Sequence, residues 1–149
     1  MRKIYPYSLL EKQLKSLIQT SDDPIARAAN ISAALYLEMK NINWIGFYRV
    51  RQEHLLLGPF QGKPACVILP KGKGVCSHAW EQGETVIVKD VSSFEGHIAC
   101  DPDSRSELVT PVFKEGEIWG VLDADSPIKE RFGANERRLL EFAAKLIFS

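Results

Sequence analysis

Ile42-Asn43-Trp44-Ile45-Gly46-Phe47-Tyr48-Arg49-Val50 is the stretch on which the fold turns. Side chains of an extended chain alternate between two faces. That puts Trp44, Gly46, Tyr48 and Val50 on one side and Ile45, Phe47 and Arg49 on the other. The run is rich in aromatic and β-branched residues and predicts a strand. Toward the C-terminus, Arg51-Gln52-Glu53 reads as a turn into a second strand around His54 to Leu57. Gly58-Pro59-Phe60-Gln61-Gly62-Lys63-Pro64 reads as a break, and Ala65 to Leu69, holding Cys66, as a third strand. A Gly-rich loop from Lys71 enters a short helix through Glu81. Glu84 to Val88 is a strand ended by Asp90, and Gly96 to Glu107 a long polar loop around Cys100. Glu107 to Phe113 and Ile118 to Asp125 are strands flanking the turn Lys114-Glu115-Gly116-Glu117.

Toward the N-terminus the periodicity changes. Leu9, Leu10, Leu14, Leu17 and Ile18 recur at helical spacing, predicting a helix over about 7–19. Ser21-Asp22-Asp23-Pro24 offers caps with proline at the first helical position, so a second helix is predicted over about 24–39. Leu139, Leu140, Phe142, Ala143, Leu146 and Ile147 predict a last helix over about 134–148. Strands in a run with helices at both ends argue an α+β fold with a mostly antiparallel sheet. No linker, repeat or low-complexity tract divides the chain, so one domain is expected over 1–149: helices about 7–39, sheet and site loops about 42–126, closing helix about 134–148.

The chain has 149 residues, 45% hydrophobic and 26% charged, with no net charge. That suffices for a core and leaves no electrostatic footprint for nucleic acid. No apolar run approaches the length of a membrane helix. Met1 to Pro6 lacks the apolar stretch of an export signal, so a cytoplasmic protein is expected. Three cysteines cannot all pair within one chain, and in a reducing compartment such residues serve chemistry more often than structure.

Four observations carry chemistry. Cys100 lies in a loop long enough to be functional, although a surface loop with an incidental thiol has the same composition. Asp101 and Asp103 beside it favour a protonated thiol unless they turn away. Cys76 stands near Lys71 and Lys73 at an expected helix N-terminus, so electrostatics favour its thiolate over the other two. Asp123 and Asp125 share one face of a strand whose neighbours Val121, Leu122 and Ala124 are apolar. Carboxylates there need compensation, from bound cations such as an ammonium or from paired Arg and Lys. Trp44 and Tyr48 share a face as well, which suits either core or pocket. Cys66, Cys76, His78, His97 and Cys100 are soft ligands, but the close Cys pair of a structural zinc site is missing, so no metal is expected. Lys71-Gly72-Lys73-Gly74 lacks the phosphate-loop pattern, and no cofactor is expected.

Asn43-Trp44-Ile45-Gly46-Phe47-Tyr48, Gly58-Pro59-Phe60-Gln61-Gly62, Gly72-Lys73-Gly74-Val75-Cys76, Gly96-His97-Ile98-Ala99-Cys100-Asp101 and Gly120-Val121-Leu122-Asp123-Ala124-Asp125-Ser126 resemble the free methionine-(R)-sulfoxide reductases, which are stand-alone GAF-domain enzymes. The likeness runs from about residue 7 to the C-terminus, with all three cysteines at the family's mutual spacing. It implies a GAF fold and a reaction. Cys100 would attack the sulfoxide sulfur. Glu107, Asp123 and Asp125 would line the site and hold the substrate ammonium, one of them donating a proton to the departing oxygen. Trp44 would pack on the methyl end, with Tyr48 close by. Cys66 or Cys76 would then form a disulfide with Cys100, reduced by thioredoxin, and the molecule would be a homodimer. The chemistry is coherent: a sulfoxide oxygen leaves only when protonated, and crowded carboxyls hold protons near neutral pH. A sulfenic acid beside a thiol becomes a disulfide. The resemblance thus favours Cys100 as nucleophile where electrostatics favour Cys76. Rival readings are a GAF module that binds a small ligand without chemistry, and a thiol redox sensor.

Overall fold

The computed structural model describes residues 4–97 and 100–149. Residues 1–3, where no export signal is read, and Ile98 and Ala99 of the Cys100 loop lie outside the described residues. The elements in order are α1 (Ser8–Leu17), α2 (Pro24–Glu38), β1 (Trp44–Arg51), β2 (His54–Gly62), β3 (Ile68–Pro70), α3 (Gly74–Gln82), β4 (Val86–Val88), β5 (Ser106–Lys114), β6 (Glu117–Ser126) and α4 (Ala134–Leu146). The strands form one sheet in the order β3-β2-β1-β6-β5-β4, and each neighbouring pair is antiparallel. This is the expected α+β class.

Local chemistry sets the helix starts. The Asp23 carboxylate accepts the N–H groups of Ile25 and Ala26 at 2.8 and 3.0 Å, with Pro24 in the first turn. These donors have no partner inside the helix, so the cap satisfies them. At α4 the Glu136 carboxylate reaches back to accept the Gly133 N–H at 2.8 Å.

The sheet is covered on both faces. On one, α1, α2 and α4 pack over Ile45, Phe47, Leu108, Val112, Leu122 and Ala124. On the other, α3 and the connecting loops pack over Trp44, Tyr48, Val109 and Val121. The alternation read in residues 42–50 therefore separates two cores, and Trp44, Tyr48 and the three cysteines pack in or against the second.

Three local expectations fail. The break expected at residues 58–64 is instead the second half of β2. Gly46 pairs with Phe60 but Tyr48 with Leu57, so β2 carries one extra residue. Such a bulge accommodates Gly58-Pro59 inside a strand. Beyond Leu56 this strand is no longer paired with β3, so Pro59 breaks no ladder on its outer edge. Cys66 lies in the loop before β3 rather than within a strand. A 3-10 turn, Val91–Ser93, follows β4 and is capped by Asp90, which the sequence marks only as a strand end.

Candidate active site

Strand register assembles the site. Residues directly opposite in antiparallel strands lie on the same face. Trp44 is paired with Asp125, Asp125 with Glu107, and Glu107 with Val88. One row across four strands therefore holds the indole and two carboxyls. In the next row Gly46 stands opposite Asp123, and Asp123 opposite Val109. Gly46 leaves Asp123 with no neighbouring side chain on β1. A Cβ there would run into Phe60, so glycine is required by close packing rather than by backbone angle.

Trp44 lies between two rings, 5.3 Å from Phe60 and 5.8 Å from Tyr48, both stacked. Its indole N–H donates to the Lys63 carbonyl at 3.2 Å. The Tyr48 hydroxyl donates to the Cys66 carbonyl at 2.8 Å. The two aromatic residues thus pin the loop that carries Cys66 over the sheet.

Glu107 and Asp123 are buried, and Asp125 keeps partial exposure. All three carboxyls are pushed well above the ordinary carboxylate range. Burial is the largest cause; repulsion from Asp123 adds to it at Glu107, from Asp125 at Asp123, and from Glu107 at Asp125. Among the described residues Asp123 Oδ1 is buried without a hydrogen-bond partner. Burial and mutual repulsion thus favour the neutral forms of these groups, the direction a proton donor at neutral pH requires.

Cys66 and Cys100 form a disulfide, with Cα atoms 5.7 Å apart. The acids after Cys100 are turned aside. Asp101 accepts from the Asn43 amide at 3.0 Å, and Asp103 pairs with Lys63 at 2.9 Å. The Asn43 amide also reaches the Ser104 hydroxyl at 3.1 Å. Lys63 and Asp103 therefore join the two cysteine loops across the pocket mouth.

The surroundings of Cys76 differ from those the sequence led us to expect of a reactive thiolate. Cys76 lies in the first turn of α3 but is buried. Burial drives its thiol well above the usual range, and the carboxyls of Asp123, Glu107 and Asp125 push the same way. Lys71, invoked as its positive neighbour, lies over the Trp80 ring at 5.0 Å. Near buried acids the helix dipole, an effect of about 0.3–1 kcal/mol at exposed sites, is the smaller influence.

His97 enters the sequence reading only as one of several soft ligands. Its Nε2 stands 3.8 Å from Glu107 Oε1, and burial lowers its pKa, favouring the neutral imidazole. Asn43 and Ser104, which orient the Cys100 loop, were also missed. Asn43 opens one of the quoted motifs, whereas Ser104 lies just beyond the motif that holds Cys100.

The cavity these groups enclose measures about 60 Å³ and is lined by Trp44, Tyr48, Cys100, Glu107, Asp123 and Asp125, together with Cys76, His97 and the N-terminal turn of α3. This is far below the size of a drug-sized pocket. A thiol chemistry partner at the mouth, protonated acids on the floor and an aromatic wall suit a small, cationic, oxidised substrate.

Residues 18–147 match the GAF domain model. The chain is 42% identical over 147 residues to the free methionine-R-sulfoxide reductase of Escherichia coli, covering 98% of this chain and 89% of that protein. It superimposes on fRMsr of Staphylococcus aureus in its reduced form with a TM-score of 0.91, at 50% identity, covering 99% of this chain and 97% of that one. A second solved structure, free methionine-R-sulfoxide reductase from Neisseria meningitidis in complex with its substrate, aligns with a TM-score of 0.91 at 41% identity, over 95% and 86% of the two chains.

Proposed function

The chain belongs to the GAF family and, within it, to the free methionine-R-sulfoxide reductases, and we propose how its residues divide that reaction. The protein reduces free methionine (R)-sulfoxide to methionine. The Cys100 thiolate attacks the sulfoxide sulfur. Glu107, held protonated by burial beside Asp123, donates its proton to the oxygen, and the S–O bond breaks. The oxygen passes to the Cys100 sulfur as the bond between the two sulfurs breaks, so methionine leaves as the thioether and Cys100 is left as a sulfenic acid. The Cys66 thiol then attacks that sulfur, water departs, and the Cys66–Cys100 disulfide forms. Overall, one sulfoxide and two thiols become one thioether, one disulfide and one water.

The observation that carries this reading is the Cys66–Cys100 disulfide at the mouth of a pocket lined by Glu107, Asp123 and Asp125. Cys100 lines that pocket and Cys66 does not, which supports Cys100 as the attacking residue and Cys66 as its recycling partner. Asp123 and Asp125 hold the α-ammonium, giving Asp123 Oδ1 the donor it lacks. The substrate carboxylate lies toward Lys73 and the first turn of α3, which line the same cavity and carry positive charge. Trp44, fixed between Phe60 and Tyr48, packs on the methyl end. Thioredoxin returns the disulfide to two thiols, and the protein works as a homodimer in the cytoplasm.

The test is NADPH consumption coupled through thioredoxin reductase and thioredoxin, with the separated R and S diastereomers and with N-acetyl-methionine sulfoxide. The R form should be consumed and the S form not. Charge-assisted hydrogen bonds contribute about 1.5–3 kcal/mol each, so the acetylated compound should lose at least about tenfold in kcat/KM. Equal kcat/KM for the acetylated and free forms would remove the ammonium-binding role of Asp123 and Asp125.

A further inference from the structure

We propose that Cys76, Glu107 and Asp123 form a binding site for a thiophilic divalent cation, of which zinc is the type, at the floor of the pocket. One ligand atom from each lies within 4.8 Å of the others, and all three residues are buried. A thiolate and two carboxylates are the soft and borderline donors zinc accepts, at about 2.3 Å from sulfur and 2.0–2.2 Å from oxygen. Three protein ligands also leave a coordination position open, as in sites that exchange their fourth ligand.

A second observation points the same way. Among the described residues Asp123 Oδ1 is buried with no hydrogen-bond donor beyond the neighbouring acids and thiol, whose protons a bound cation would displace. The imidazole of His97, whose Nε2 is 3.8 Å from Glu107 Oε1, is a neutral nitrogen donor at the edge of the cluster. The soft thiol excludes magnesium and calcium, which take all-oxygen shells with more ligands. Binding is simple exchange: the cation enters, and the protons held by the thiol and carboxyls leave to solvent. No electrons move.

Cys76 takes no part in the Cys66–Cys100 disulfide, so the site persists when the enzyme is oxidised. That the metal excludes the substrate ammonium rests on the roles assigned above to Asp123 and Glu107; the binding itself does not.

The oxidised protein provides the test. The chain has three cysteines, and with two in the disulfide the Cys76 thiol is the sole thiol present. Cobalt(II) added to disulfide-intact protein should produce a saturable near-ultraviolet thiolate-to-cobalt absorption. Zinc should abolish it at equimolar concentration, and a large excess of magnesium should not. Cys76→Ser should remove the band, and Asp123→Asn should weaken zinc binding at least tenfold in competition with a chromogenic chelator. Absence of the band in the unmodified oxidised protein overturns the site, as does a band that survives Cys76→Ser. Turnover of free methionine sulfoxide by the chelator-treated, reduced protein is read separately. Full turnover with no cobalt band defeats the metal site alone, and a cobalt band without turnover defeats the reductase assignment alone.

Discussion

Asp123 shows at a single residue what the site costs and why. It sits on a central strand, 5% exposed, with one oxygen unpartnered and its proton held by burial and by Asp125. Its pKa is higher in the folded chain than in the unfolded one. Such a group contributes its stability fully below the unfolded carboxyl range, and loses it as pH rises toward the folded pKa. Glu107, Asp125 and the Cys76 thiol shift in the same direction and add to the effect. The substrate-free protein should therefore lose stability as pH rises above the ordinary carboxyl range. Asp123→Asn keeps the shape and removes one titration, so its stability should fall less steeply. Urea midpoints at pH 5 and pH 8.5 check this. The variant should gain on the order of 1–3 kcal/mol relative to wild type between the two, and parallel pH profiles would mean Asp123 is ionised at no cost. The pair Asp123 and Asp125 was legible because alternation in an apolar strand put both on one face. Glu107 and the buried state of Cys76 were not legible by pattern, since what surrounds them comes from strands distant in sequence.

At the scale of elements, most boundaries follow from periodicity, caps and turns, and the misreadings have physical causes. Gly58-Pro59 signals a break to any local reading, yet β2 absorbs it as a bulge because its partner β1 continues. The strand expected over Glu84 to Val88 does form, but only over Val86–Val88, the residues that pair with Val109, Leu108 and Glu107. Arg27 is a further case, invisible in the sequence as one charge on an Ala-rich helix. Its guanidinium donates to the carbonyls of Leu146 at 3.0 Å, Ser149 at 3.1 Å and Ile18 at 3.2 Å, and its Nε to Ser21 at 2.7 Å. One cation thus satisfies carbonyls at the C-terminal ends of both α1 and α4, where the helix dipoles are negative. Arg27→Ala should lower unfolding stability by about 2–3 kcal/mol, with kcat unchanged because Arg27 lies outside the pocket lining. A urea midpoint within about 0.5 kcal/mol of wild type would show that water replaces the guanidinium without loss.

At the scale of the molecule, catalysis and stability are coupled through one covalent bond. The Cys66–Cys100 disulfide closes 34 residues of sequence, a segment that contains α3, β4 and much of the pocket wall. Cross-linking a segment of that length restricts the unfolded chain by about 3–4 kcal/mol on the chain-entropy account. In the proposed cycle this link is made and broken at each turnover, so the reduced form that must bind substrate is the less stable one. The noncovalent ties remain after reduction: Tyr48 to the Cys66 carbonyl, Trp44 to the Lys63 carbonyl, and Lys63 to Asp103. The exposed Lys63–Asp103 pair contributes little, so the two loops are joined weakly once the disulfide opens, and a cavity of about 60 Å³ can widen to admit an amino acid. Oxidised and dithiothreitol-reduced protein should differ by about 3–4 kcal/mol in urea unfolding. Cys66→Ser should erase the difference, because it removes the bond. Cys76→Ser should preserve it, because that thiol lies outside the redox pair, and mass mapping should still find Cys66 joined to Cys100 after one turnover. A difference erased by Cys76→Ser would mean that the buried thiol is a working member of the redox cycle rather than a protonated part of the pocket floor.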